Sequence, residues 1–151
     1  LASQATRLLM MPSGQVGSIG VFALHADMSG MLEQAGIKVT LVKAGKYKAE
    51  GLPYFPLGDE ATAHMQAQAE GYLADFVADV ALGRHVSRET ARGADFGEGR
   101  MLTAKAAIAA GMADGVGDLG EAIRVAAQLA VEQRRSMAAL AETQARRLTS
   151  R

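Results

Sequence analysis

The hydrophobic and polar positions of this chain change their period several times between its two ends. Short apolar or β-branched runs predict strands at residues 7–11, 16–24 and 37–42. Between the last two runs, residues 27–35 have helical spacing and are followed by Gly36, a typical residue at a helix end. A strand, a helix and a strand in this order are typical of a right-handed parallel crossover, so the first third of the chain predicts an α/β fold.

The pattern then becomes mainly helical. Asp59 and Glu60 place acidic groups at the start of a long helix that we expect to end near Gly83. Its predicted buried face consists of apolar side chains at helical spacing, namely Met65, Ala69, Tyr72, Leu73, Phe76 and Val80. Polar caps and glycines then predict a helical turn at 87–90, a tight loop at 96–100, a small helix at 103–111, a short strand or turn at 112–117 and a final helix capped by Asp118.

Composition narrows the classes of function. The 151 residues include 16 basic and 16 acidic side chains, so no net charge favours nucleic-acid binding. Cysteine is absent, which excludes disulfides, thiolate metal sites and a cysteine nucleophile within this sequence. No apolar run approaches the roughly 18 residues of a membrane span, and no group of His, Asp and Glu has the spacing of metal ligands. We therefore expect no metal and no cofactor.

The loop at residues 43–58 carries three lysines near its start, and long loops in compact domains are often functional. A lysine amine can act as a general base only when it is neutral, although its ordinary pKa is about 10.4. Positive charges nearby lower such a pKa, so each of Lys43, Lys46 and Lys48 would favour a basic role for its neighbours. An ion pair between Lys48 and Glu50 would oppose that role, because it would hold the proton on the amine.

Two motifs, Val16-Gly17-Ser18-Ile19-Gly20-Val21 and Ala44-Gly45-Lys46-Tyr47-Lys48, resemble segments of the signal peptide peptidase A family, including its phage and prophage members. These are serine peptidases with a Ser–Lys dyad on an α/β, Clp-protease/crotonase-like fold. The resemblance implies that Lys48 is the general base and that Ser18 is its hydrogen-bonding partner. It also implies that Val16, Gly17 and Ile19 contribute to substrate binding.

The same resemblance predicts how the chain is organised. It implies that residues 1–129 are the C-terminal portion of the peptidase domain and that residues 130–151 form a helical arm. The nucleophilic serine and the oxyanion hole are expected upstream of Leu1, so that the N-terminal part of the domain would be missing. Because the family forms rings or stacked oligomers, we expect a homo-oligomer that acts on a peptide or protein substrate. The expected location is the cytoplasm or a phage prohead, with membrane association through a preceding segment as an open alternative.

Several functions stay open at this point. The peptidase could act in phage capsid maturation or in the degradation of cleaved signal peptides. A catalytically inactive scaffold or assembly protein that retains the fold is the alternative from another class, and a crotonase-like acyl-CoA enzyme is a third. His25 ends the run that carries Ser18, so a Ser-His-Asp triad is an alternative to the dyad. His64 and His85 are expected on the surface.

Overall fold

A computed structural model describes residues 2–149 of the chain, with side chains up to Ala145. Leu1, Ser150 and Arg151 lie outside the described residues. The α-helices are α1 (Ser29–Gln34), α2 (Asp59–Arg84), α3 (Arg88–Arg92), α4 (Ala104–Ala109) and α5 (Leu119–Thr149). The strands are β1 (Leu9–Met10), β2 (Gln15–Gly17), β3 (Met101–Thr103) and β4 (Gly115–Val116), and short 3₁₀ helices occur at Ala2–Gln4 and Ala94–Phe96.

The described strands form two small sheets. β1 and β4 pair in parallel, with Leu9 opposite Gly115. β2 and β3 pair antiparallel, with Gly17 opposite Met101. The described chain is therefore mixed α/β, as predicted, with few strands. The expectation that an N-terminal part of the domain is missing stays a prediction.

The capping residues in the sequence correctly predicted where three helices begin. Thr103 caps α4 by accepting a hydrogen bond from the Ala106 N–H at 3.4 Å, and Ser87 caps α3 by accepting one from the Thr90 N–H at 3.1 Å. The Asp118 carboxylate accepts a hydrogen bond from the Glu121 N–H at 2.8 Å in the first turn of α5. Each cap satisfies a backbone N–H that has no partner within the helix, which is why these residues mark helix starts.

Two strand predictions were wrong. Of residues 16–24, only Val16 and Gly17 lie in a strand, and residues 37–42 contain no strand. A strand requires hydrogen bonds to a neighbouring strand. Among the described residues, the only main-chain hydrogen bond in 18–24 that reaches another segment joins the Ser18 N–H to the Arg100 carbonyl. The parallel crossover expected between the two runs is consequently not formed in the described chain.

The core lies where α2, α3, α4 and the two small sheets meet. Phe96 is its largest fully buried side chain, with 0% exposure. The other core residues are Met10, Ile19, Val77, Val80, Ala81, Ala91, Ala104, Ala107, Met112 and Ala113. The predicted face of α2 is correct at Val80 but wrong at Tyr72, whose exposed fraction is 65%. Val77, which was not predicted, is buried instead.

Helix α5 continues without a break through residue 130, where the predicted arm begins. From Glu132 to Ala145 its side chains are exposed. The division into a domain and an arm stays a prediction. None of the helices that the structure describes has the length and apolar character needed to cross a membrane.

Candidate active site

The Gly17–Ser18 turn is fixed by strand β3. Gly17 has φ +140° and lies so close to Arg100, the residue before β3, that an added Cβ would be 2.4 Å from the Arg100 carbonyl oxygen. Ser18 has a positive φ of 55°, which is uncommon for a residue with a side chain. Its N–H donates to the Arg100 carbonyl at 3.0 Å. The Ser18 side chain is exposed, and its hydroxyl has no hydrogen-bond partner among the described residues.

A small cavity lies beside this turn. Its volume is about 170 Å³, and Val16, Gly17 and Ile19 all contribute to its wall. The remaining wall is mostly apolar and comes from Ala2, Ser3, Leu8, Phe76, Val80, Arg84, Phe96 and Met112. The structure thus brings the three predicted substrate-binding residues together around one cavity. Their role in binding stays a prediction.

Lys48 lies in a separate, exposed turn. Its N–H donates to the Gly45 carbonyl at 3.4 Å, and its aliphatic chain runs along Gly45, where an added Cβ would be 3.2 Å from Lys48 Cγ. Within the described residues its amine forms no hydrogen bond or ion pair, so the structure does not join it to the Ser18 hydroxyl. The dyad predicted from the two motifs therefore stays a prediction.

The charged neighbours of Lys48 are arranged differently from the sequence expectation. Lys46 does not present a free positive charge, because its amine pairs with Glu60 at 2.9 Å. The hydrogen bond to Tyr47, together with the one to Glu60, raises the pKa of Lys46. Lys43 donates to the Lys46 carbonyl at 2.9 Å. In the part of the chain that the structure describes, Glu50 forms no ion pair with Lys48, so the competing interaction is not seen.

His25 faces a different cavity. Both ring nitrogens are buried and have no hydrogen-bond partner within residues 2–149. The cavity measures about 320 Å³ and is bounded by Met65, Leu73 and other side chains of α2, with Phe22 at its rim. Because no described carboxylate accepts a hydrogen bond from the ring, the structure offers no support for a His–Asp pair of the kind that a triad requires.

An ion pair that sequence reasoning did not find connects the end of α2 to β1 and β4. Arg84 donates from Nη2 to Asp114 Oδ1 at 2.8 Å, from Nη1 to Oδ2 at 3.2 Å, and from Nε to the Gly111 carbonyl at 3.1 Å. Asp114 Oδ2 also accepts a hydrogen bond from the Leu8 N–H at 2.6 Å. Arg84 forms part of the wall of the 170 Å³ cavity, so the ion pair holds one side chain of that wall in place.

The described residues contain no group of three or more His, Asp and Glu side chains suited to holding a metal ion.

A basic residue in the last turn of α2 and an acidic residue before β4 were the only sequence signals for the Arg84–Asp114 pair. They are thirty positions apart, and local pattern does not say that they meet.

Comparison with known proteins places this chain in a family. Residues 1–133 match peptidase family S49, a family of the ClpP/crotonase-like clan. The chain therefore belongs to peptidase family S49, which confirms the resemblance drawn from the two motifs.

Proteins similar to this chain occur in two phages and in a cellular organism. The head-tail preconnector protein GP5 of Enterobacteria phage P21 is 32% identical over 127 residues, covering 84% of this chain and 25% of that protein. The capsid assembly protease C of Escherichia phage lambda is 30% identical over 125 residues, covering 83% and 28%. A protein of Methanocaldococcus jannaschii named as a candidate protease is 37% identical over 116 residues, covering 76% and 36%. The chain thus spans between 25% and 36% of the length of these relatives.

Proposed function

We propose that this chain is part of a serine endopeptidase that cleaves peptide bonds with a Ser–Lys dyad. Membership of peptidase family S49 over residues 1–133 is the observation that carries the proposal. Lys48 is the general base, Ser18 orients its amine, and the nucleophilic serine belongs to a segment that precedes Leu1.

The chemistry follows from these roles. The neutral amine of Lys48 removes the proton of the nucleophilic hydroxyl as the oxygen attacks the peptide carbonyl, and a tetrahedral oxyanion forms. The protonated amine then gives its proton to the leaving nitrogen, the C–N bond breaks, and an acyl-enzyme remains. In the second half, Lys48 takes a proton from water as the water oxygen attacks the ester carbonyl. The protonated amine then returns this proton to the serine oxygen as the C–O bond breaks, which releases the acid product, regenerates the serine hydroxyl and leaves Lys48 neutral.

The surroundings of Lys48 suit this role in one respect. Its amine has no carboxylate partner among the described residues, whereas the neighbouring Lys46 does. A carboxylate beside the base would favour its charged form and oppose proton removal. Ser18 is a suitable neutral partner, because a hydroxyl can accept a hydrogen bond from the amine without adding negative charge.

The similarity to the capsid assembly protease of phage lambda favours a capsid-assembly protein as the substrate. The similarity to a Methanocaldococcus jannaschii protein favours a more general peptidase, such as one that degrades signal peptides. A second candidate function is that of an inactive assembly protein. It is favoured by the lack of a described hydrogen bond between Ser18 and Lys48 and by the similarity to a head-tail preconnector protein.

The test is peptide cleavage by the full-length protein and its variants. Lys48→Ala and Lys48→Met should lower kcat/KM by about 10³-fold or more, because a general base contributes about 10²–10⁴-fold and the nucleophile depends on it. Ser18→Ala should cost about tenfold, since the hydroxyl orients the base and carries no proton. Lys38→Met, another exposed lysine, is the matched control and should keep full activity.

Three results would separate the alternatives. Full activity of Lys48→Ala would refute the dyad. Loss of activity in His25→Ala at unchanged thermal stability would indicate a triad. A wild-type protein that cleaves neither casein nor a capsid-assembly protein, while it still associates with the latter, would indicate the inactive assembly protein.

A further inference from the structure

We propose that Lys46, Tyr47 and Glu60 form a clasp that holds the turn carrying Lys48 against the start of helix α2. This positioning role rests on the proposed function, because it concerns the placement of the general base. The clasp consists of side chains only. Glu60 Oε1 accepts hydrogen bonds from Lys46 Nζ and from the Tyr47 hydroxyl, both at 2.9 Å. Lys46 Nζ also donates to the Tyr47 hydroxyl oxygen at 2.7 Å.

The turn has little else to hold it. Its main-chain hydrogen bonds are local and long, at 3.4 Å from the Lys48 N–H to the Gly45 carbonyl and 3.2 Å from the Glu50 N–H to the Tyr47 carbonyl. In the described chain, the hydrogen bonds that join residues 43–52 to another element are the two to Glu60. Gly45 and Gly51, which flank the turn, both have positive φ angles. Without the clasp, this segment would therefore have a wide choice of backbone conformations.

Glu60 is well suited to be the fixed end. It lies in the first turn of α2, a helix of 26 residues, next to the buried Ala61. A carboxylate at this position is favoured by the helix dipole, and its backbone cannot move independently of the helix. Tyr47 and Lys46 are the two residues immediately before Lys48, so fixing them restricts where the Lys48 side chain can begin.

A second geometric feature stiffens the clasp. The Lys46 amine lies 4.5 Å from the centroid of the Tyr47 ring, within the range of a cation–π contact. Lys43 also donates to the Lys46 carbonyl at 2.9 Å, which closes the start of the turn. The clasp is exposed, with side-chain exposures of 68% for Lys46 and 65% for Glu60, so its effect should weaken as salt concentration rises.

The experiment compares four full-length proteins: wild type, Glu60→Gln, Tyr47→Phe and Glu121→Gln. Glu121→Gln is the matched control, because it removes another glutamate ion pair at the surface, between the half-exposed Glu121 and the exposed Arg124 on α5, far along the chain from the turn. Hydrogen exchange of the amides at 45–50, read by mass spectrometry, should be at least about fivefold faster in Glu60→Gln and unchanged in the control. Tyr47→Phe keeps the ring and loses one hydroxyl, so its effect should be smaller.

Peptide cleavage supplies the functional readout. Glu60→Gln should lower kcat about tenfold with KM within about twofold, because a misplaced catalytic group affects the chemical step more than binding. The melting temperature should stay within about 2 °C of wild type, since exposed ion pairs contribute little to stability. Exchanging the charges, with Lys46→Glu and Glu60→Lys in one protein, should restore most of the lost rate and slow the exchange again.

The outcomes are distinguishable. Unchanged exchange at 45–50 in Glu60→Gln would overturn the clasp, whatever the activity. Faster exchange with unchanged kcat, in a protein that Lys48→Ala inactivates, would overturn its positioning role and leave the proposed function standing. Full activity of Lys48→Ala would overturn the proposed function and with it the catalytic purpose of the clasp.

Discussion

Removal of the Asp114 carboxylate is the sharpest test of how this fold is held together. Asp114→Ala deletes the acceptor of two hydrogen bonds from Arg84 and of one from the Leu8 N–H. Arg84 would remain, with only 9% of its side chain exposed and without its counter-ion. Leu8, the residue before β1, would lose the acceptor of its main-chain N–H. The junction of α2, β1 and β4 should therefore loosen as a unit.

The expected loss can be worked from these contacts. Removing one partner of a buried ion pair costs about 3–5 kcal/mol, largely because the other charge stays desolvated. Asp114 is still 19% exposed, so water can reach the site and the lower end of this range applies. We expect a loss of about 3 kcal/mol, which corresponds to a fall in Tm of about 6–12 °C for a chain of this size. The double variant Arg84→Met with Asp114→Leu should recover much of it, since no charge is then left unpaired.

The pH dependence gives an independent check. Hydrogen bonds from Arg84 are the largest cause that lowers the pKa of the Asp114 carboxyl below its ordinary value of 3.8, against a smaller opposing effect of burial. A carboxyl with a lowered folded-state pKa contributes its full stability above the unfolded-state value and loses it as the pH falls through the folded-state value. The stability gap between wild type and Asp114→Ala should therefore be constant from about pH 8 to 5 and shrink below about pH 4.

The assay is urea denaturation followed by circular dichroism at several pH values, together with thermal melting. Glu121→Ala, which removes the pair between the half-exposed Glu121 and the exposed Arg124, is the control and should change stability by less than about 0.5 kcal/mol. A stability of Asp114→Ala within that same margin of wild type at pH 7 would contradict the expected loss. A stability gap that widens in acid would contradict it as well, because the sign of the linkage would then be reversed.

The sequence predicted those parts of the fold that depend on near neighbours. Thr103 and Ser87 cap helices through bonds to N–H groups three positions away, so the pattern alone contained the necessary information. Helix α2 was predicted from its acidic start and apolar spacing, although the buried face is turned toward Val77 and away from Tyr72. Which side of a helix is buried depends on what packs against it, and that is not a local property.

Two strand predictions were wrong for the same reason. Residues 37–42 have the β-branched composition of a strand, yet the described chain offers their backbone no partner strand. Composition indicates that a segment suits a sheet, but the segment becomes a strand only when a neighbouring strand pairs with it. The same limit applies to the site. Two motifs led to Ser18 and Lys48, whereas the Glu60 clasp and the Arg84–Asp114 pair join residues 13 and 30 positions apart through the tertiary fold.

Two substitutions beside the cavity complete the predictions. Phe96→Ala should cost about 3–5 kcal/mol, because Phe96 is 0% exposed and its removal leaves a void in the core; equal urea midpoints would refute this. Gly17→Ala should both destabilise the protein and disturb Ser18. Its Cβ would lie 2.4 Å from the Arg100 carbonyl oxygen, which accepts the Ser18 N–H, and φ +140° disfavours any side chain. Gly20→Ala is the control, because its φ is not positive and the nearest atom lies at 3.4 Å. Faster amide exchange at Ser18 is expected in Gly17→Ala alone, and equal exchange in both variants would show that contact with β3 does not hold the turn.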